Sequence, residues 1–302
     1  MLKNKKYFTK GQYLFWLLIL LLVSFAFLHL ADKMFKEEGI VERIIEEERP
    51  PIVDTTSIIK TDTTKKIIND SILFKWEWND YNDKKRVINF KLSAGDLQKA
   101  TANRINYPFA NRTIWKSMFK SDFKYLKSLI YAYKKGIEQN NLTNLDALDY
   151  VISSIQYIGY TWICAGTNDS KCGNNSAPLE ECKPKNIGGI VDPGCCDNII
   201  PYAVYSPFEF AYYRTGDCDT KALFAYTILK GLGYNNVCVI HGDTDRGKHA
   251  MLGIKIPNPP FNRHFIRDYN GQKIYAWETT ANNFKLGQKV WDSWTNWEIG
   301  LE

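Results

Sequence analysis

The chain has 302 residues, 45% hydrophobic and 24% charged, which excludes a mostly disordered chain and a multi-span membrane protein. Lys3, Lys5, Lys6 and Lys10 stand in an acid-free opening stretch, and setting these four aside takes the net charge of +6 down to +2. A body so near neutrality lacks the basic footprint of a nucleic-acid binder, so no nucleic-acid partner is expected.

Tyr13 to Leu30 is apolar apart from Ser24 and His29, and as a helix it would span about 27 Å, enough for a hydrocarbon core. Lysines before it and mixed charge after it predict residues 1–12 in the cytoplasm and 13–31 as a transmembrane signal anchor. Everything beyond is expected outside the cytoplasm. A signal peptide cleaved at Ser24-Phe25-Ala26 is the rival, but the apolar run continues past that site. Residues 32–70, with a Glu run and Pro50-Pro51, read as a stalk. The body is then residues 71–302.

Ile72, Phe74, Trp76 and Trp78 alternate with Leu73, Lys75 and Glu77, a strand period, and Arg86 to Leu92 reads as the returning strand of a hairpin over 72–92. Its aromatic face is expected to pack onto the domain. Asp122 to Gln139 and Asp146 to Tyr157 carry apolar residues at helical spacing. Residues 164–196 form a Cys-, Gly- and Asn-rich insert.

Cys164, Cys172, Cys182, Cys195, Cys196 and Cys238 are disulfide candidates, in keeping with an oxidising compartment. No C-x-x-C pair is present, so zinc is not expected, and no cofactor is demanded. Seven cysteines is an odd number, which points to one thiol left out of the bridges.

Gly216-Asp217-Cys218-Asp219 leads into a helical segment that ends at Gly231 and Gly233. Cys218 thus sits at a helix start, where unpaired N–H groups favour a thiolate, while Asp217 and Asp219 oppose it by charge. Val237 to His241 reads as a strand, His249 opens a second and Glu278 closes a third. A nucleophile on a helix, a histidine and an orienting acid on strands suit a Cys218–His249–Glu278 triad. His241 and His264 are alternative bases, and Asp268 and Asp292 alternative acids. His249 and Glu278 are preferred because each stands at a strand end. Asp243 and Asp245 read as a polar turn rather than a calcium site.

These motifs resemble the transglutaminase-like branch of the papain-like superfamily: Gly216-Asp217-Cys218-Asp219 plus helix, His249-Ala250, and Trp277-Glu278-Thr279-Thr280 followed by Leu286-Gly287. Bacterial members also carry the Trp-x-Trp hairpin (Trp76, Trp78) and Pro-x-Glu before the cysteine (Pro207, Glu209), so the resemblance covers roughly residues 72–290. It implies an α+β, papain-like core with the cysteine helix packed on an antiparallel sheet, in a protein of the bacterial inner membrane facing the periplasm. It further implies a protease, amidase or acyltransferase acting on a protein or peptide substrate. Such proteins often have a Gln where Ser153 stands here, and Gln156 lies nearby out of register. Gln156, Asp217 and Trp277 are the substrate and oxyanion candidates, with the Cys218 backbone N–H as a further donor. A catalytically silent domain that binds partners in an envelope complex is the alternative.

Overall fold

The computed structural model describes residues 66–68, 71–107, 114–163, 185–187, 190–192, 195–196, 203–245, 247–256, 267–269, 271–288 and 294–302. The predicted anchor, the predicted stalk apart from residues 66–68, and Cys164, Cys172 and Cys182 lie outside these. Among the described residues no helix is long and apolar enough to cross a membrane. Residues Asp62–Glu302 form one compact unit.

A three-stranded sheet opens this unit, with Lys66–Ile68 (β1), Ser71–Asn79 (β2) and Lys85–Ser93 (β3) in that order. The period-two pattern of β2 works as expected: Phe74, Trp76 and Trp78 are buried while Leu73 faces outward. Phe74 pairs with Phe90 across the ladder, and their rings stack with centroids 5.4 Å apart.

Four helices follow: Ala94–Ile105 (α1), Ile114–Asp122 (α2), Lys127–Gln139 (α3) and Asn144–Gln156 (α4). The expected helix from Asp122 to Gln139 is corrected here, because Asp122 closes α2 and α3 starts at Lys127. The reason is a long-range contact. Asp122 turns inward and its Oδ2 accepts the Phe208 backbone N–H at 2.9 Å. After Trp162–Ile163 (β4), the described parts of the cysteine-rich insert are three short strands, Lys185–Ile187 (β5), Ile190–Asp192 (β6) and Cys195–Cys196 (β7); β7 pairs in parallel with β4.

Pro207–Tyr213 (α5) begins with a capping box in which Ser206 and Glu209 satisfy each other's backbone N–H groups. Glu209 also takes a bidentate grip from Arg104 of α1, at 2.6 and 2.9 Å, with both side chains buried. This pair fixes the chain just ahead of the cysteine motif. Cys218–Gly231 (α6) is apolar around nearly its whole circumference, which is the pattern of a central helix. It packs against α3, α4, α5 and the second sheet.

That sheet holds five antiparallel strands: Val237–Thr244 (β8), Gly247–Lys255 (β9), Arg267–Tyr269 (β10), Gln272–Trp277 (β11) and Trp294–Leu301 (β12), in the order β10-β11-β9-β8-β12. The architecture is therefore α+β, with the cysteine helix lying on an antiparallel sheet. Cys238 of β8 is a free buried thiol whose Sγ approaches the Gly253 carbonyl at 3.6 Å, which removes it from the disulfide candidates. It faces the second core layer with Ile240, Met251 and Ile274, where no other cysteine stands among the described residues.

Candidate active site

Asp217 is the N-cap of α6 and its side chain accepts the Thr220 N–H at 3.3 Å, so Cys218 occupies the first helical turn. Gly216 is needed there because a Cβ would come within 2.6 Å of Thr220. The Gly216 carbonyl accepts the Thr161 N–H at 3.1 Å, tying the approach to the segment after α4. Cys218 is a free thiol at 9% exposure.

His249 lies near the start of β9, opposite Gly242 of β8, and the Ala250 amide that follows it acts to lower the Cys218 thiol. Glu278 follows immediately on β11, one residue beyond the strand end. His249 Nε2 and Glu278 Oε2 are 2.8 Å apart. The other carboxylate oxygen, Oε1, accepts the Thr280 N–H at 2.7 Å and its hydroxyl at 2.5 Å. Burial works against the charge on Glu278, but the hydrogen bond and charge of His249, with Thr280, hold its carboxyl below the usual range.

Cys218 and His249 line one cavity of about 590 Å³. Its walls continue through Trp115, Trp162, His241, Asp243 and Glu298. Trp115 packs edge-on to His241, and Gly300 leaves the space that its indole fills.

The electrostatics of the nucleophile are set by its neighbours. The Cys218 thiol donates to Asp219 Oδ1 at 3.4 Å. Burial, then the charges of Asp219 and Asp217, push the thiol well up from its ordinary range, against the Ala250 N–H. The helix start alone does not make Cys218 a thiolate, because burial first, and then the two acids, oppose the charge.

Of the three substrate and oxyanion candidates, Asp217 lines the cavity, whereas Gln156 and Trp277 are corrected to supporting roles. Gln156 is 2% exposed, and its Nε2 donates to the carbonyls of Glu278 at 2.6 Å and Phe284 at 2.7 Å. Trp277 Nε1 donates to the Phe284 carbonyl at 2.9 Å and to the Tyr81 hydroxyl at 3.2 Å. Both amide and indole are thus spent on holding the loop that carries Glu278.

Two residues were missed at the sequence level. Tyr160, between α4 and β4, lies near enough to the cysteine motif that burial, then the charges of Cys218, Asp217 and Asp219, keep its phenol protonated. Lys221, one turn beyond Cys218, is fully buried. A tyrosine carries no local signal of such a contact. A lysine inside an otherwise apolar helical run is a signal that could have been read. His241 lines the cavity; Asp268 stands in β10, and His264 and Asp292 lie outside the described residues. Among the described residues no group of His, Cys, Asp and Glu could hold a metal ion.

No protein-family model, curated protein or solved structure matches this chain.

Proposed function

We propose that the protein is a cysteine protease, amidase or acyltransferase of the transglutaminase-like, papain-like type, anchored by residues 13–31 with its body outside the cytoplasm. The observation that carries this reading is a helix-start cysteine sharing a cavity with a histidine whose far nitrogen lies 2.8 Å from a buried carboxylate. The substrate is a protein or peptide carboxamide or peptide bond. His249 Nδ1 takes the thiol proton as Sγ attacks the carbonyl carbon. The oxyanion that forms is met by the Cys218 backbone N–H and the Tyr160 hydroxyl, the first a helix-start amide and the second a phenol kept neutral.

The imidazolium, stabilised by Glu278, gives its proton to the departing amine as the C–N bond breaks. A thioester remains. Water, or an amine, then attacks that thioester with its proton passing to His249, and the thiol leaves as Cys218 is restored. Water yields hydrolysis and an amine yields transamidation.

A second reading, a silent domain that binds partners in an envelope complex, draws support from the Cys218–Asp219 contact, since a thiol locked on a carboxylate performs no chemistry. The two separate on one test. The full chain is incubated with a peptide library containing glutamine and a labelled primary amine, and products are read by mass spectrometry. New termini, deamidation or amine incorporation that vanish in Cys218→Ala support the enzyme. Products no different from those of Cys218→Ala contradict it and favour the binding domain.

A further inference from the structure

Carboxylates from separate elements meet in the cavity that holds Cys218: Asp217 and Asp219 around the start of α6, Asp243 on β8 and Glu298 on β12. The sheet register explains the last two. Val239 and Leu252 pack in the core cluster that contains Cys218, so their face of the sheet is the one that carries α6. Side chains two residues apart on a strand share a face, which puts His241 and Asp243 there with Val239. Glu298 pairs with His241 across the β8–β12 ladder and so joins them. Between Thr295, opposite Asp243, and Glu298, β12 carries an extra residue, a bulge. Asn296, within it, also lines the cavity and donates to Asp243 Oδ2 at 2.8 Å. Histidines aside, Lys248 is the one cation among the described lining residues, and it is exposed, opposite Asp243 on β9. Trp115 and Trp162 add aromatic wall, whose ring faces attract cations.

We propose that this cavity selects a positively charged substrate, a peptide with lysine or arginine beside the reacting carbonyl, and that Asp243 and Glu298 determine that specificity. The inference rests on the reading of Cys218 and His249 as the reacting pair, which makes the cavity the place where substrate lies. A cleft lined by one sign of charge concentrates ions of the other sign and repels its own. Burial, and for Asp217 then the charge of Asp219, push these two carboxyls up, so the sheet acids carry the selection.

The test reads the potential at the sulfur itself. The full chain is treated with 2-aminoethyl, methyl or 2-sulfonatoethyl methanethiosulfonate, a cationic, a neutral and an anionic reagent of one chemistry. Each forms a mixed disulfide with Cys218 and releases methanesulfinate. Labelling is followed on the Cys218 peptide by mass spectrometry, and each rate is divided by that reagent's rate with a small free thiol. The thiolate fraction is common to all the reagents and cancels from their ratios.

The cationic reagent is expected to outpace the anionic one by about tenfold or more at low salt, and the ratio should fall as salt is raised. In Asp243→Asn/Glu298→Gln the ratio should drop severalfold. Equal rates for the two reagents, or a ratio that the double variant leaves unchanged, overturn the proposal. A Cys218 that no reagent labels also overturns it, since the cavity then admits no ligand to the sulfur. Should the double variant fail to fold, Asp243→Asn decides alone, because the new amide keeps an acceptor for Asn296. Labelling needs no turnover, so a protein that shows the cationic preference yet converts no peptide retains the selection and loses the proposed activity. In an active protein the converted library peptides carry lysine or arginine beside the reacting carbonyl. Equal conversion of peptides with an acid there overturns the specificity and leaves the activity standing.

Discussion

Gln156 reaches across 122 residues of sequence to hold the Glu278 carbonyl at 2.6 Å, with its second N–H on the Phe284 carbonyl. The acid of the site is thus positioned from its backbone as well as its side chain. Gln156→Leu strands two carbonyls, only one of which, that of Phe284, keeps other donors in Tyr81 and Trp277. The variant is expected to lose about 1–3 kcal/mol in denaturant unfolding. It should also slow modification of Cys218, whereas an unchanged unfolding midpoint would contradict the role.

Asp219 restrains the nucleophile. Its Oδ1 accepts the Cys218 thiol, and its charge, second only to burial, pushes that thiol up. Asp219→Asn removes the charge but keeps an acceptor. Alkylation of Cys218 at pH 7 is expected to run at least severalfold faster in this variant, by about the factor that one nearby charge provides. A slower reaction would mean that Asp219 aids rather than restrains.

The hairpin, the cysteine helix, the strand bearing His249 and the strand that ends at Trp277 just before Glu278 were legible because each is a local pattern. Alternating Phe74, Trp76 and Trp78 can bury only one face of a strand, and Gly216-Asp217 before an apolar run can only open a helix. Glu209 was read as part of a motif, and its Arg104 pair supplies the physical reason. What escaped depends on contacts distant in sequence. Gln156 and Trp277 were expected at the cleft, but their donors are consumed by carbonyls that no periodicity reveals. The helix break at Asp122 likewise follows from its bond to Phe208, and Cys238 stands among the disulfide candidates because parity says nothing of where a thiol faces.

Tyr160 offers the sharpest division between binding and chemistry. Loss of one oxyanion donor typically lowers turnover by about 100-fold or more. Tyr160→Phe should show that loss in acyl transfer measured with the peptide library, while alkylation of Cys218, which forms no oxyanion, changes little. Equal losses in both would place the hydroxyl's effect on the sulfur itself.

The fold has its own pH dependence. Burial pushes the Asp122 carboxyl from 3.8 up to about 6, against hydrogen bonds from Ser206, Phe208 and Ser121. A carboxyl raised on folding contributes stability that is fully present below the unfolded value and is lost as pH rises through the folded one. Wild type should therefore lose ~3 kcal/mol relative to Asp122→Asn between about pH 3.5 and pH 7, read as converging or crossing unfolding midpoints. A constant difference across that range would show that Asp122 is charged in the fold throughout.

The central claim is that Cys218 and His249 act as one unit, and the rate of Cys218 alkylation against pH in the oxidised full chain tests it most directly. Iodoacetamide should modify Cys218 at a rate that rises with deprotonation of an imidazole, well below the pH of an ordinary thiol at about 8.5. Cys238, fully buried with its thiol pushed up to about 12 by burial, should remain unlabelled as an internal control. In His249→Ala the rate should fall at least about tenfold and follow the thiol alone. A Cys218 that is unreactive, disulfide-bonded, or modified equally fast without His249 would contradict the account.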